Sequence, residues 1–186
     1  LSLFISCKEK SKEVKNSDGQ GTSLSIDYAN GFSIKQYSNH TIITVTEAFP
    51  GAQKEFKYAL IPRDSSGNNT DEEQLNVLEQ TLKSQGVDAI LKTPLNTVVV
   101  TSTTHIPSLE MLGVAETLKG FPNLDYISSP LSRKRIANKE IIDLGQNESL
   151  NTELTIELHP EAIISFGVEG ENKSLNSVER AGIPVL

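Results

Sequence analysis

From Val87 to Leu186, strand-like and helix-like runs alternate, and this constrains the possible folds of the chain more than any other feature. The strand-like runs are Ala89 to Leu91, Thr97 to Thr101, Ile141 to Leu144, Ala162 to Phe166 and Ile183 to Leu186. Between them lie helix-like runs at Pro107 to Gly113, Leu131 to Asn138, Thr152 to Leu158 and Lys173 to Ala181. Strands joined through a helix pair in parallel, because the helix carries the chain back over one face of the sheet. The pattern therefore predicts an α/β lobe over 87–186, a mostly parallel sheet flanked by helices.

The segment before it follows a different period. "SIDYANGFSIKQY" alternates around Asn30-Gly31, a dipeptide suited to a tight hairpin turn, and "HTIITVTEAF" and "EFKYALIP" follow. These predict a small antiparallel β unit. After the polar loop "PRDSSGNNT", Thr70 or Asp71 is placed to cap a helix in which Leu75, Leu78 and Leu82 share one face, and Gly86 ends it. The β-rich segment and its helix thus occupy 24–86.

The two ends carry different signals. "LSLFISCKEK" runs from apolar residues through a small one to Cys7 and then becomes charged, the pattern of a secretory signal ending at a processed cysteine. Residues 8–23 are charged and nearly free of apolar side chains, which predicts a flexible tether with a reach of roughly 20 to 25 Å. The apolar run Ile183 to Leu186, at the other end, predicts a buried strand that needs neighbours, as expected if more chain follows.

Charge narrows the partners. The formal net charge of −7 and the lack of a basic stripe argue against a nucleic-acid surface. Arg133, Lys134 and Arg135 form a short basic group that reads as a solvated helix face. The single cysteine excludes an internal disulfide and a multi-thiolate zinc site. His40, His105 and His159 lie in unrelated elements, so their spacing predicts no metal site, and His159 before Pro160 reads as a helix-end residue. No phosphate-binding glycine loop or nucleophile elbow occurs, and Ser102 with His105 lacks an orienting carboxylate, so no catalytic residues are predicted.

Chemistry belongs at the carboxyl ends of the strands of an open α/β sheet. Thr101 to His105 follows "TVVV", and residues 167–171 follow "AIISF", which predicts both loops on one rim. Their hydroxyls and imidazole can hydrogen-bond an oxygen-rich ligand, or they can serve to cap the helix that Pro107 opens.

The order of four segments resembles the substrate-binding proteins of bacterial ABC importers for iron-siderophore, haem and cobalamin-type ligands. They are "VVVTSTTHIPSLEMLGV", "LKGFPNLDYI", "DLGQNESLNTELTIELHPEAIISFG" and "SLNSVERAGIPVL". The opening resembles a lipoprotein processing site with Cys7 as the lipidated residue. His159-Pro160-Glu161 stands where the family has a Lys-Pro-Asp turn, and the chain has no Trp, which leaves aromatic stacking to Tyr126 or Phe121.

The resemblance implies the N-terminal lobe of a two-lobed binding protein, tethered in the periplasm. It implies a monomer that captures an iron complex, haem or cobalamin, with no cofactor of its own, and delivers it to an inner-membrane permease. Ligand contacts would fall to Thr103, Thr104, His105, Tyr126, Gln146, Asn147, Val168 and Glu169. Glu153, at a helix start, would dock on an arginine pocket of the permease. Alternatives are a zinc- or manganese-binding importer component, or an interaction or metallocofactor-binding lipoprotein on the same lobe.

Overall fold

A computed structural model describes residues 21–48, 51–63, 72–146, 149–165 and 172–186. The first layer is a five-stranded sheet of β1 (Thr22–Ser23), β2 (Phe32–Gln36), β3 (Thr41–Val45), β4 (Phe56–Pro62) and β5 (Ala89–Thr93), adjacent in that order. Its first four strands pair antiparallel, and β5 joins β4 in parallel after the crossover helix α1 (Glu72–Ser84). Leu75, Leu78 and Leu82 of α1 pack on Ile42, Ala59, Ile61 and Ile90. The expected leucine stripe is therefore what seals one face of this sheet. Gly86, at φ +77, ends the helix as expected, and the proposed cap at Thr70 or Asp71 lies outside the described residues.

Two expectations about this region are corrected. Asn30-Gly31 does not form a two-residue hairpin turn: β1 pairs with β2 in the register Thr22 with Gln36, which leaves residues 24–31 as a wider loop. Gly31, at φ +83, instead lets its carbonyl accept from the amides of Thr46 and Glu47, clamping the far end of β3. The tight turn lies between β2 and β3, where the Tyr37 amide donates to the His40 carbonyl at 2.8 Å. Second, Ala89 to Leu91 belongs to this sheet and not to the parallel lobe sheet, because α1 returns the chain alongside β4.

The second layer is a parallel sheet in the order β11-β6-β7-β8, made of β6 (Val98–Val100), β7 (Leu118–Phe121), β8 (Ile142–Asp143) and β11 (Ala162–Ile164). Ile183 to Leu186 extends it: Val185 bridges Ile163 in parallel, and the Leu186 amide donates to the Ile163 carbonyl at 2.9 Å. Val98 and Val100 face a core with Ile106, Leu118, Phe121, Ile127 and Ile141, while Val99 faces Leu144, Leu150, Ile163 and Val178. Strands covered on both faces have no polar alternation, hence the three consecutive valines.

Helices α2 (Ile106–Met111) and α3 (Pro130–Ala137) cover the first face; α4 (Thr152–Glu157) and α5 (Lys173–Arg180) cover the second. The chain steps β6, β7, β8 in one direction with helices on one face, then returns to β11 on the far side of β6 with helices on the other. The order therefore reverses between β6 and β11, and in open α/β sheets ligands gather outside the carboxyl ends of the strands at such a reversal.

The two layers are stapled near the opposite end. Glu161, just before β11, accepts from Arg63 after β4 at 2.5 Å and from the Asn96 amide at 2.6 Å. Burial pushes the Glu161 carboxyl up, but the bonds from Arg63, Asn96 and Thr97 and the nearby Arg63 charge outweigh it and leave the pKa lowered. A carboxyl depressed in the folded state adds stability above its unfolded value of 4.5, and that stability is lost as pH falls through the folded value. Urea midpoints should therefore drop below pH 4.5, and Glu161→Gln should flatten that part of the profile while lowering the midpoint at pH 7. Equal acid sensitivity in both proteins would contradict this role.

One reading of the sequence is overturned in α3. Arg135 is not a solvated basic residue: it is 7% exposed, and its guanidinium donates to the carbonyls of Ala115, Glu116 and Leu118 and to Glu140.

Candidate functional site

The rim is built by the residues that follow the strands. After β6, Thr101 is buried and its hydroxyl donates to Ser165 Oγ at 3.1 Å, tying the carboxyl ends of β6 and β11 together. Ser102 holds extended backbone at φ −125, ψ 139 and caps a 3-10 turn, Thr103–His105, by accepting from the Thr104 amide at 3.3 Å. Its hydroxyl also lies 2.8 Å from Thr104 Oγ1. Ser102 thus caps this turn and not α2, whose N-cap His105 makes no side-chain capping bond, and Thr103 and Thr104 are exposed at the rim.

His105 closes this turn and precedes α2, with Pro107 in the helix's first turn. Its side chain is half-buried, and Nδ1 is buried without a hydrogen-bond partner. Desolvation by burial lowers its pKa below the ordinary 6.5, which favours the uncharged ring. A neutral imidazole can donate from one nitrogen and accept at the other, which suits a polar but uncharged ligand group.

After β7, Asn123 adopts φ 58, ψ 82, a left-handed conformation that asparagine tolerates better than most residues. From there it ties two loops together. Its Oδ1 accepts from the Asp125 amide at 3.3 Å, its own amide donates to Asp143 Oδ1 at 3.3 Å, and its Nδ2 donates to Gln146 Oε1 at 3.3 Å. Tyr126 ends the turn Leu124–Tyr126 with 65% of its surface exposed. Phe121 is 1% exposed in the core, so it cannot stack on a ligand as the sequence had allowed; it is the last residue of β7, on the face that α2 and α3 cover.

After β8, Gly145 and Gln146 form β9, which pairs antiparallel with β10 (Ser149–Leu150). Gln146 is exposed and bonded to Asn123, which joins the second and third loops. The structure thus gathers Thr103, Thr104, His105, Tyr126 and Gln146 at the carboxyl ends of one parallel sheet. Asn147, Val168 and Glu169 lie outside the described residues, as does Cys7.

Asn123 is the residue sequence reasoning missed. Its signal was the Pro122-Asn123 pair just after β7, where a left-handed turn is easily built. Asn123→Gly should keep that backbone and the bond from its own amide to Asp143 and lose the two side-chain bonds, whereas Asn123→Ala loses the same two and adds backbone strain. The alanine variant should be less stable than the glycine variant by about 1 kcal/mol, read from urea midpoints.

Glu153 sits at the second position of α4, exposed, after Asn151, whose Oδ1 accepts from the Leu154 amide at 3.0 Å. His159 adopts φ 48 just beyond α4, its amide bonded to the Ile156 carbonyl, so it is the helix-end residue expected. Among the described residues, no group of three or more His, Cys, Asp or Glu side chains could hold a metal ion, and no helix is long and apolar enough to cross a membrane. A groove of about 380 Å³ between α1, β5 and residues 182–185 holds no rim residue; its walls mix Glu79, Lys83, Asp88 and Lys92 with Ile183.

No family model matches the chain, and no curated protein does. Solved structures do show local likeness. The periplasmic heme binding protein HutB of Vibrio cholerae aligns over 48% of this chain and 32% of its own, with 20% identity and a TM-score of 0.37. A periplasmic heme binding protein from Pseudomonas aeruginosa aligns over 50% and 31% respectively, with 24% identity and a TM-score of 0.36. The iron-uptake ABC transporter substrate-binding protein PiuA of Streptococcus pneumoniae aligns over 50% and 30%, with 16% identity and a TM-score of 0.37. Each likeness covers about half of this chain. The aligned part spans about a third of each of these proteins.

Proposed function

We propose that this chain is the ligand-capturing component of an ABC importer for a metal chelate, namely an iron-siderophore complex, haem or cobalamin. What supports the reading is that Thr103, Thr104, His105, Tyr126 and Gln146 follow the carboxyl ends of β6, β7 and β8 in one parallel sheet. These groups offer hydroxyl, imidazole, phenol and amide contacts but no assembled nucleophile, base and orienter, so the reading is capture without covalent chemistry. Asn147, Val168 and Glu169 would complete the ligand contacts from the third and fourth loops.

The remaining segments fit this role. Residues 1–23 would supply the signal end, the lipidated Cys7 and the tether, which would hold the parallel-sheet lobe that begins at β6 at a periplasmic membrane face while it turns. The β-rich segment with its helix, which β5 extends to Thr93, would precede that lobe. Glu153 would dock in trans: a carboxylate on the first turn of a helix is stabilised by the helix dipole and can pair with a permease arginine.

The test is a titration of the protein, without its lipid, against ferric siderophores, haem and cobalamin. One of them should bind saturably, and changing Thr104, His105 and Tyr126 together to Ala should weaken that binding at least about tenfold, a loss of 1.4 kcal/mol. Absence of binding across the panel, or binding unaffected by the triple change, would refute the reading.

A further inference from the structure

We propose that Asn123 is a positioning residue that fixes Gln146 as a hydrogen-bond donor toward the ligand. The part of the chelate that meets the loops after β7 and β8 is then an unprotonated oxygen: a carboxylate, a carbonyl or an oxygen on the metal. The inference rests on the importer reading and concerns what the ligand must offer at these two loops.

A backbone amide can only donate, and the Asp125 amide donates to Asn123 Oδ1 at 3.3 Å. That sets the sense of the Asn123 carboxamide and turns Nδ2 toward Gln146. Nδ2 can likewise only donate, and it donates to Gln146 Oε1 at 3.3 Å. Gln146 thus commits its oxygen to Asn123. Its Nε2, on an exposed side chain, has no acceptor among the described residues. Asp143 Oδ1 holds the two loops in register, since it accepts from the Asn123 amide at 3.3 Å and from the Gly145 amide, beside Gln146, at 2.9 Å.

The other rim groups adapt. The hydroxyls of Thr103 and Thr104 and the Tyr126 phenol can donate or accept, and an uncharged His105 ring does both. A free carboxamide would also turn over to suit its ligand. One held by its oxygen discriminates, because a ligand N–H or O–H set against Nε2 leaves buried donors unpaired.

Asn123→Asp reverses the relay. Aspartate tolerates left-handed backbone as asparagine does and still accepts from the Asp125 amide, but its second oxygen cannot donate to Gln146. Gln146 should turn over and donate to that carboxylate. In a two-dimensional amide spectrum of the free protein its side-chain amide protons should move downfield, and unchanged Gln146 resonances would overturn the relay. Binding is read with a ferric trishydroxamate, haem and cobalamin. For whichever binds, Gln146→Met, which removes the donor at similar length, should weaken binding about fivefold, and Asn123→Asp about tenfold. In the Gln146→Met background, Asn123→Asp should cost nothing further. Equal losses from Asn123→Asp with and without Gln146, or binding indifferent to Gln146→Met, would overturn the inference and leave the importer reading standing. Saturable binding of none of the three would overturn the importer reading, and with it the assignment of Gln146 to a ligand.

Discussion

Replacing Gly120 by valine should cost about 3 kcal/mol of folding stability, seen as a lower urea midpoint at unchanged slope. Gly120 lies inside β7, buried, where glycine has no intrinsic advantage. Its role is steric. A Cβ at this position would stand 2.7 Å from Leu144 Cδ1 and 3.0 Å from Leu158 Cδ2, closer than side chains pack. Leu144 is fully buried against Val99, Leu150, Ile163 and Val178, so it has nowhere to retreat. β7 can lie flat beneath α4 only because this residue has no side chain. Alanine should show a reduced form of the same effect. In Gly120→Ala/Leu144→Ala the added methyl partly fills the space the leucine leaves, so the double change should cost less than the two single changes summed. Strict additivity would mean the two sites do not touch and would contradict the packing described.

Arg135→Ala should cost a similar amount, again about 3 kcal/mol, for an electrostatic reason. The guanidinium is the hydrogen-bond partner of three carbonyls, on Ala115, Glu116 and Leu118, in the segment that leads into β7. Removing it leaves those acceptors facing a cavity in a buried site, and Arg135→Lys cannot serve three carbonyls with the same planar fork. Its contact with Glu140 is a different matter. Glu140 is exposed, and the bonds from Asn138 and Arg135 together with the nearby Arg135 and Lys119 charges lower its carboxyl pKa against a small desolvation cost. A pair with one partner in open solvent adds little to stability. Glu140→Ala should therefore leave the urea midpoint nearly unchanged, and a loss equal to that of Arg135→Ala would show that the ion pair, and not the carbonyl cradle, carries the effect.

Much of the architecture could be read from the order of the residues. The alternation after Val87 predicts a parallel sheet with helices, and α2 to α5 lie within a few residues of the expected runs, because each has an apolar stripe and a recognisable end: Pro130 behind Ser129, Asn151 before α4, Gly182 after α5. β7 was harder to see from residue type. "LKGF" carries a lysine and a glycine where a strand usually has β-branched residues, and it is a strand only because Leu144 and Leu158 of other elements fill the place of the missing side chain. Arg135 was misread for the complementary reason: three adjacent basic residues look solvated until tertiary structure brings three carbonyls onto one of them. The assignment of β5 to the first sheet was likewise hidden, since nothing within "AILKT" states which neighbour a strand chooses.

The site was legible in part. Placing chemistry at the strand ends followed from the α/β pattern, and Thr103, Thr104, His105, Tyr126 and Gln146 do lie there. The reversal of strand order between β6 and β11 was not legible, because it depends on β11 crossing to the far side of β6. The network through Asn123 was also beyond the sequence, since it needs a left-handed backbone at one residue and two loops brought side by side.

The central claim is that a metal chelate binds at this rim, and paramagnetic broadening tests it most directly. Ferric iron broadens nearby amide resonances steeply with distance, so a two-dimensional amide spectrum recorded as a ferric chelate is added locates the metal. The account predicts selective loss of the Thr103, Thr104, Tyr126 and Gln146 amides, while Thr97, Lys139 and Glu161 at the other end of the same sheet stay sharp. Broadening centred on Thr97, Lys139 and Glu161, or on the groove between α1 and residues 182–185, would contradict it.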